Sequence, residues 1–125
     1  MPLNIRREGA LPLDDQLVLI GHPVGLPSKI ADGGEVYFVD EQTIYAGVDA
    51  FAGNSGSVVI NEQSGIVEGI LVAGEPDFVF DDTGSCQREY RCDRESCRGE
   101  VITPIALLKD AIPDVYYPPP ELVCE

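Results

Sequence analysis

The residues best suited to chemistry lie in one run, Asp49-Ala50-Phe51-Ala52-Gly53-Asn54-Ser55-Gly56-Ser57. Glycines on both sides of a serine let the chain turn tightly and keep bulk away from the hydroxyl. Gly53 also leaves its backbone N–H free to point outward beside that of Ser55. Two such donors stabilise the negative oxygen that develops in acyl transfer. The expected roles are Ser55 as nucleophile and Gly53 as oxyanion donor. Gly-Asn-Ser-Gly is also ordinary loop composition, so the run must be judged with its surroundings. A serine hydroxyl is protonated at neutral pH and needs a base to become a nucleophile. The sole histidine is His22, 33 residues ahead of Ser55. Geometry rather than residue type decides whether it is that base; the other role is a packed turn histidine.

The segments that must position this run are short and apolar. Asp15 to Gly21 reads as a buried strand, broken by His22-Pro23 and Gly25-Leu26-Pro27. After the Asp32-Gly33-Gly34 turn, residues 35–39 and 43–48 form a hairpin rich in β-branched and aromatic residues. Residues 57–61 and 66–72 form a second hairpin about the turn 62–65. Residues 78–80 are apolar within an acidic stretch, 83–99 form a Cys- and Arg-rich loop, and 100–105 form a final strand. Thr103 and Pro104 read as the N-cap and first position of a helix over Pro104 to Ile112. Ile105, Leu108 and Ile112 fall on its inner face, and Pro113 stops it. Residues 113–125 form an extended Pro-rich tail. Six or seven short strands with Gly turns predict an all-β antiparallel barrel or sandwich, in one domain over residues 1–112.

Composition bounds the function. A length of 125 residues fits one domain. Apolar residues are 44% of the chain, enough for a core, and 13 glycines with 10 prolines favour turns over long helices. Asp and Glu number 22 against 8 Lys and Arg, a net charge of −14. That disfavours nucleic acid and anionic membranes as partners. No apolar run reaches the roughly 18 residues of a membrane helix, and residues 1–7 lack the apolar stretch of a signal peptide.

The cysteines are Cys86, Cys92, Cys97 and Cys124. Their spacing lacks the paired C-x2–4-C of a zinc site. A disulfide-tied loop at 83–99 is the favoured reading, with free thiols the other, and the pairing stays open. Arg88, Arg91, Arg94 and Arg98 alternate with Glu89, Asp93, Glu95 and Glu100, as in a solvated, cross-paired loop. No cofactor is expected, although Glu75, Asp77, Asp81 and Asp82 are a candidate calcium set as well as a plain acidic surface.

The Gly53-to-Ser57 motif resembles the nucleophile motif of chymotrypsin-like serine proteases, in the form found in bacterial glutamyl-endopeptidase-like members. The likeness extends to Leu17–Pro23, to the strand Ile66–Gly74 and to Glu100–Ile112, roughly residues 5 to 112. The resemblance implies the second barrel of a two-barrel trypsin-like hydrolase: an antiparallel six-stranded β-barrel with a short C-terminal helix. In that family the base and acid, His and Asp, come from the first barrel. The implied partners are therefore a missing N-terminal barrel, in this or another chain, and a peptide or protein substrate. The chain alone is expected to be inactive, and the whole enzyme to be secreted or periplasmic, with its signal upstream. The implied pocket residues are Asp49, Ala50, Leu71, Val72, Ala73 and Gly74. Asp49, six residues before Ser55, stands where trypsin-like members carry the acid that selects Arg or Lys; a loop-capping Asp is the bland alternative. Leu71 and Ala50 replace the His and Thr of glutamyl-specific members. Asn54 replaces the Asp that pairs with a new N-terminus in the trypsin branch. The competing function is a noncatalytic, protease-like protein-binding domain; a small cysteine-stapled barrel of no relation is a third.

Overall fold

The structure is a computed structural model that describes residues 2–91 and 93–114. Its eight strands are β1 (Gln16–Gly21), β2 (Lys29–Val39), β3 (Ile44–Gly47), β4 (Val58–Asn61), β5 (Val67–Ala73), β6 (Phe78–Phe80), β7 (Gln87–Glu89) and β8 (Glu100–Pro104). Six close into a barrel in the order β1-β2-β3-β8-β5-β4, with every neighbouring pair antiparallel. β6 and β7 form a separate two-stranded ribbon.

The barrel follows from the period-two pattern. In β1, Leu17 and Leu19 point inward and are buried, while Val18 and Ile20 alternate with them on the outer face. Leu11, Val36, Ile44, Ala46, Val48, Val59, Leu71 and Ile102 complete the buried cluster. Each fully buried Leu, Ile or Val contributes about 1.5–3 kcal/mol through burial. Four of the six strand pairs carry a register shift, between Leu17 and Leu19, Val36 and Phe38, Val59 and Ile60, and Leu71 and Ala73. Such bulges bend and twist strands enough for a small sheet to close on itself.

A second apolar cluster lies outside the barrel. Ile60, Val67 and Ile105 are its buried members, with Ile5, Ile20, Val58, Ile70 and Ile112 packed against them. The N-terminal segment straps this face: Ile5 bridges Val67, Arg6 N donates to Val67 O at 2.9 Å, and Val67 N donates to Asn4 O at 2.8 Å. Glu68 is buried in β5 and accepts both Nε and Nη2 of Arg6, the latter at 2.8 Å. Arg7 reaches the end of the chain's described portion, donating to Lys109 O at 2.7 Å and Ile112 O at 2.9 Å.

The expected C-terminal helix is corrected to a single 3-10 turn, Ile105–Leu108. Thr103 and Pro104 are not its cap. Both belong to β8, where they pair with Ile70 and Gly69 of β5. Strand pairing therefore consumes the residues that would have opened the helix, and the remainder before Pro113 is too short to sustain one without packing. The inner-face expectation survives for Ile105 and Ile112, whereas Leu108 is exposed. Cys86 is an exposed free thiol, which removes it from the disulfide candidates, whereas Cys97 is disulfide-bonded. Cys92, Cys124 and most of the Pro-rich tail lie outside the described residues.

Candidate active site

The segment joining β3 to β4 carries the Gly-Asn-Ser-Gly run across one end of the barrel. Two turns fix it: Asn54 N donates to Phe51 O at 3.0 Å, and Ser57 N donates to Asn54 O at 2.9 Å. β5 anchors its far side, where Gly56 N donates to Leu71 O at 2.7 Å and Leu71 N to Ser57 O at 3.0 Å. Asn54 is buried at 2% exposure and Ser55 is exposed. The turn thus tucks the amide inward and presents the hydroxyl outward.

The orientation of two peptide groups follows from their hydrogen bonds. In a trans peptide the C=O and the next N–H point in opposite directions. Ala52 O accepts Val24 N at 2.6 Å from the His22–Gly25 turn, so Gly53 N–H faces away from that turn. Asn54 O accepts Ser57 N, so Ser55 N–H faces away from the turn interior. Neither N–H donates to another described residue. Gly53 has φ +96°, and a Cβ there would lie 3.1 Å from His22 O and 3.2 Å from Val24 N. Only glycine suits that conformation beside the neighbouring turn. Asn54 Oδ1 is buried and has no hydrogen-bond partner among the described residues.

No described side chain hydrogen-bonds the Ser55 hydroxyl. His22 is exposed, at the start of the Pro23–Gly25 turn, and contributes to the site through its backbone, not as a base on Ser55.

Two cavities flank the run. One of about 200 Å³ is lined by Ser55 together with Leu71, Ala73, Gly74, Asp77 and Glu100. The other, of about 500 Å³, is lined by Asp49 and Ala50. Both share Phe51, Glu75, Asp77 and Glu100. Of the residues expected around the substrate, Leu71, Ala73 and Gly74 therefore meet Ser55's own cavity, while Asp49 and Ala50 border the neighbouring one. Leu71 is mainly a core residue at 3% exposure, and Val72 turns outward to 45% exposure and lines neither cavity.

Glu100 was legible only as the start of a strand and as one acid of the charged loop, yet it joins the two cavities. Ala73 pairs with Val101, so Gly74 falls beside Glu100; a Cβ on Gly74 would lie 1.6 Å from Glu100 Oε2. Glu100 Oε1 accepts Glu75 N at 3.3 Å. Burial pushes the Glu100 carboxyl up to about 7, helped by the charges of Asp77, Glu75 and Asp49 and opposed by the Glu75 N–H. The missed signal was the Gly-Glu step after the pocket strand, which acquires meaning once β5 and β8 are paired.

The candidate calcium acids serve other partners. Asp77 accepts Ala52 N at 2.7 Å, Glu75 accepts Arg98 N at 3.1 Å, and Asp81 accepts Thr83 Oγ1 at 2.8 Å. No group of three or more metal-type side chains is gathered among the described residues. In the 83–99 loop Arg91 pairs with Glu89 at 2.8 Å, while Arg94 and Arg98 lie over the rings of Tyr37 and Tyr45 at 5.2 and 5.4 Å. Cross-pairing is thus partly ionic and partly cation–π.

No family model matches this chain, and no curated protein gives a significant match. What the fold defines is an all-β protein with a closed six-stranded antiparallel barrel, an architecture compatible with a chymotrypsin-like barrel.

Proposed function

We propose that this chain is the nucleophile-bearing half of a serine endopeptidase. Ser55 would attack the peptide carbonyl, and Gly53 and Ser55 N–H groups would hold the resulting oxyanion. The observation that carries this reading is the exposed hydroxyl flanked by two backbone N–H groups that donate to no described residue. An oxyanion hole needs donors already placed and uncommitted before the reaction.

The base and its orienting acid would come from an N-terminal barrel, in the same or another chain, working outside the cytosol on peptide or protein substrates. One feature supports docking of such a partner. Ile30, Ile20, Val58 and Ile70 are directly opposite one another across β2, β1, β4 and β5. They form an apolar row on the outer barrel face in which Ile20, Val58 and Ile70 pack against the second cluster and Ile30, 72% exposed, is left open. β4 runs into this row two residues after Ser55–Gly56, so a partner seated on it would stand beside the nucleophile.

The test is labelling of Ser55 by a fluorophosphonate. The chain alone should give no rapid acyl-enzyme burst, and adding a His- and Asp-bearing barrel in trans should restore labelling. A folded, completed protein that stays unlabelled would sink the enzyme reading. The same apolar row would then favour the second reading, a noncatalytic protein-binding domain.

A further inference from the structure

We propose that Asp77 is the positioning residue for the oxyanion donor at Gly53. From the root of the β6–β7 ribbon it holds Ala52, and through Ala52 it fixes the direction of the Gly53 N–H. Use of that N–H in acyl transfer rests on the Ser55 reading above; the hold on the loop does not.

The Ser55 run contains two glycines at positive φ, Gly53 at +96° and Gly56 at +88°, and glycine backbone rotates most freely. Ala52, Gly53 and Ser55 are exposed, so core packing does not fix the peptide between Ala52 and Gly53. Hydrogen bonds must do so. Ala52 is held on both of its peptide groups: its C=O accepts Val24 N at 2.6 Å, and its N–H donates to Asp77 Oδ2 at 2.7 Å. The Gly53 N–H shares a rigid plane with the Ala52 C=O, so whatever fixes Ala52 also aims that N–H. The Val24 bond alone leaves the plane free to swing about one contact. The Asp77 bond, one peptide earlier, removes that swing. Among the described residues, Asp77 is the one side chain that hydrogen-bonds to any part of residues 49–57.

Asp77 is itself braced. Its C=O accepts Tyr90 N at 2.8 Å. The next residue, Phe78, pairs with Glu89 across the ribbon, and its ring lies 6.0 Å from that of Phe51 in the Ser55 run. Two residues earlier, Glu75 N donates to Glu100 of β8 at 3.3 Å, which ties the ribbon's root to the barrel. The acceptor therefore stands at a fixed place on the wall of the cavity that holds Ser55. A site is only as precise as the groups that support it. A carboxylate also makes a stronger acceptor than a neutral carbonyl, which suits a bond at an exposed loop.

The test begins with the 125-residue chain and amide hydrogen exchange followed by NMR. In the unmodified chain the Ala52 amide should exchange about tenfold more slowly than those of Gly53 and Ser55. Asp77→Ala should remove that protection and move the Gly53 and Ser55 amide signals, while the amides of β1 and β4 keep their rates. Asp77→Asn keeps an oxygen acceptor, so its Ala52 exchange should lie closer to the unmodified chain than to Asp77→Ala. In the completed protein, Asp77→Ala should slow acylation by a small dialkyl fluorophosphonate about tenfold. The loss should fall on the bond-forming step and not on affinity for the reagent, a split that a merely structural residue would not produce. Ala52 exchanging as fast as Gly53 in the unmodified chain, Asp77→Asn as impaired as Asp77→Ala, or β1 and β4 loosening together with the loop would overturn the proposal.

The two readings fail separately. Protection of Ala52 by Asp77 with Ser55 never acylated in the completed protein removes the nucleophile and keeps the hold on the loop. Acylation of Ser55 at an undiminished rate in Asp77→Ala does the reverse.

Discussion

The strapped face of the barrel and the Ser55 end use similar polar groups in opposite ways. At the strap, a carboxylate buried in β5 meets both nitrogens of an arginine fork, and the main chain of residues 4–6 completes the edge of Val67. At the other end, two exposed N–H groups and one carboxyl oxygen meet no described partner, and neither does the buried Asn54 Oδ1. Buried polar groups are almost always satisfied in folded proteins. Asn54 Oδ1 is the one buried side-chain exception among the described residues, and it lies beside the exposed serine. One region closes its own ledger and stabilises the fold; the other leaves polar groups without a partner among the described residues.

Four experiments break or sharpen that contrast. The largest effect should come from Ser55→Ala, which in the completed protein should abolish fluorophosphonate labelling while leaving the thermal midpoint within about 1–2 °C, as expected for an exposed site. Next, Arg6→Ala should lower unfolding free energy by about 3–5 kcal/mol in urea titrations, because Glu68 would stay buried without its cation. Replacing both partners, Arg6→Met with Glu68→Leu, should recover most of that loss; a double variant as unstable as the single one would show that the ion pair is not what holds the strap. Third, Gly53→Ala should cut the acylation rate of the completed protein about 10²–10³-fold, since φ +96° and the His22 carbonyl leave no relaxed place for a methyl group. A stopped-flow burst assay reads this directly.

The smallest effect concerns pH. Glu100 is raised from an ordinary carboxyl value of 4.5 to about 7. The folded chain then holds this proton more tightly than the unfolded chain does. Its contribution to stability is full below about pH 4.5 and is lost as pH rises through about 7. With solvent screening at a half-exposed group, the change should be on the order of 1 kcal/mol. Glu100→Gln should flatten the stability profile across that interval, and an identical slope in the variant would assign the effect to other groups.

How much of this was readable beforehand depends on the range of the interaction. Strands β1 and β3 were legible because short apolar runs bounded by turn residues are a local signal, and so was the Ser55 turn, whose glycines adopt positive φ. The failures were non-local. Nothing near Arg6 announces that Glu68, 62 positions away, will bury its carboxylate against it. Thr103-Pro104 carries a sound helix-start signal, which β5 overrules by pairing with it. Glu100 reads as one more acid in a charged loop until the β5–β8 register sets it across from Gly74. Likewise, Asp49 and Ala50 keep their expected spacing from Ser55, yet they line the larger cavity and not the one that contains the hydroxyl.

Closure of the barrel also governs which backbone edges the chain leaves open. A split sheet protein commonly exposes strand edges, which recruit other chains indiscriminately through backbone hydrogen bonds. Here β1 pairs with both β2 and β4, and the ring has no first or last strand. The free edges among the described strands belong to the ribbon β6–β7, three residues each, too short to template a fibre. Under the proposed function, a completing barrel would therefore have to be recognised by side chains, with the selectivity that side chains allow.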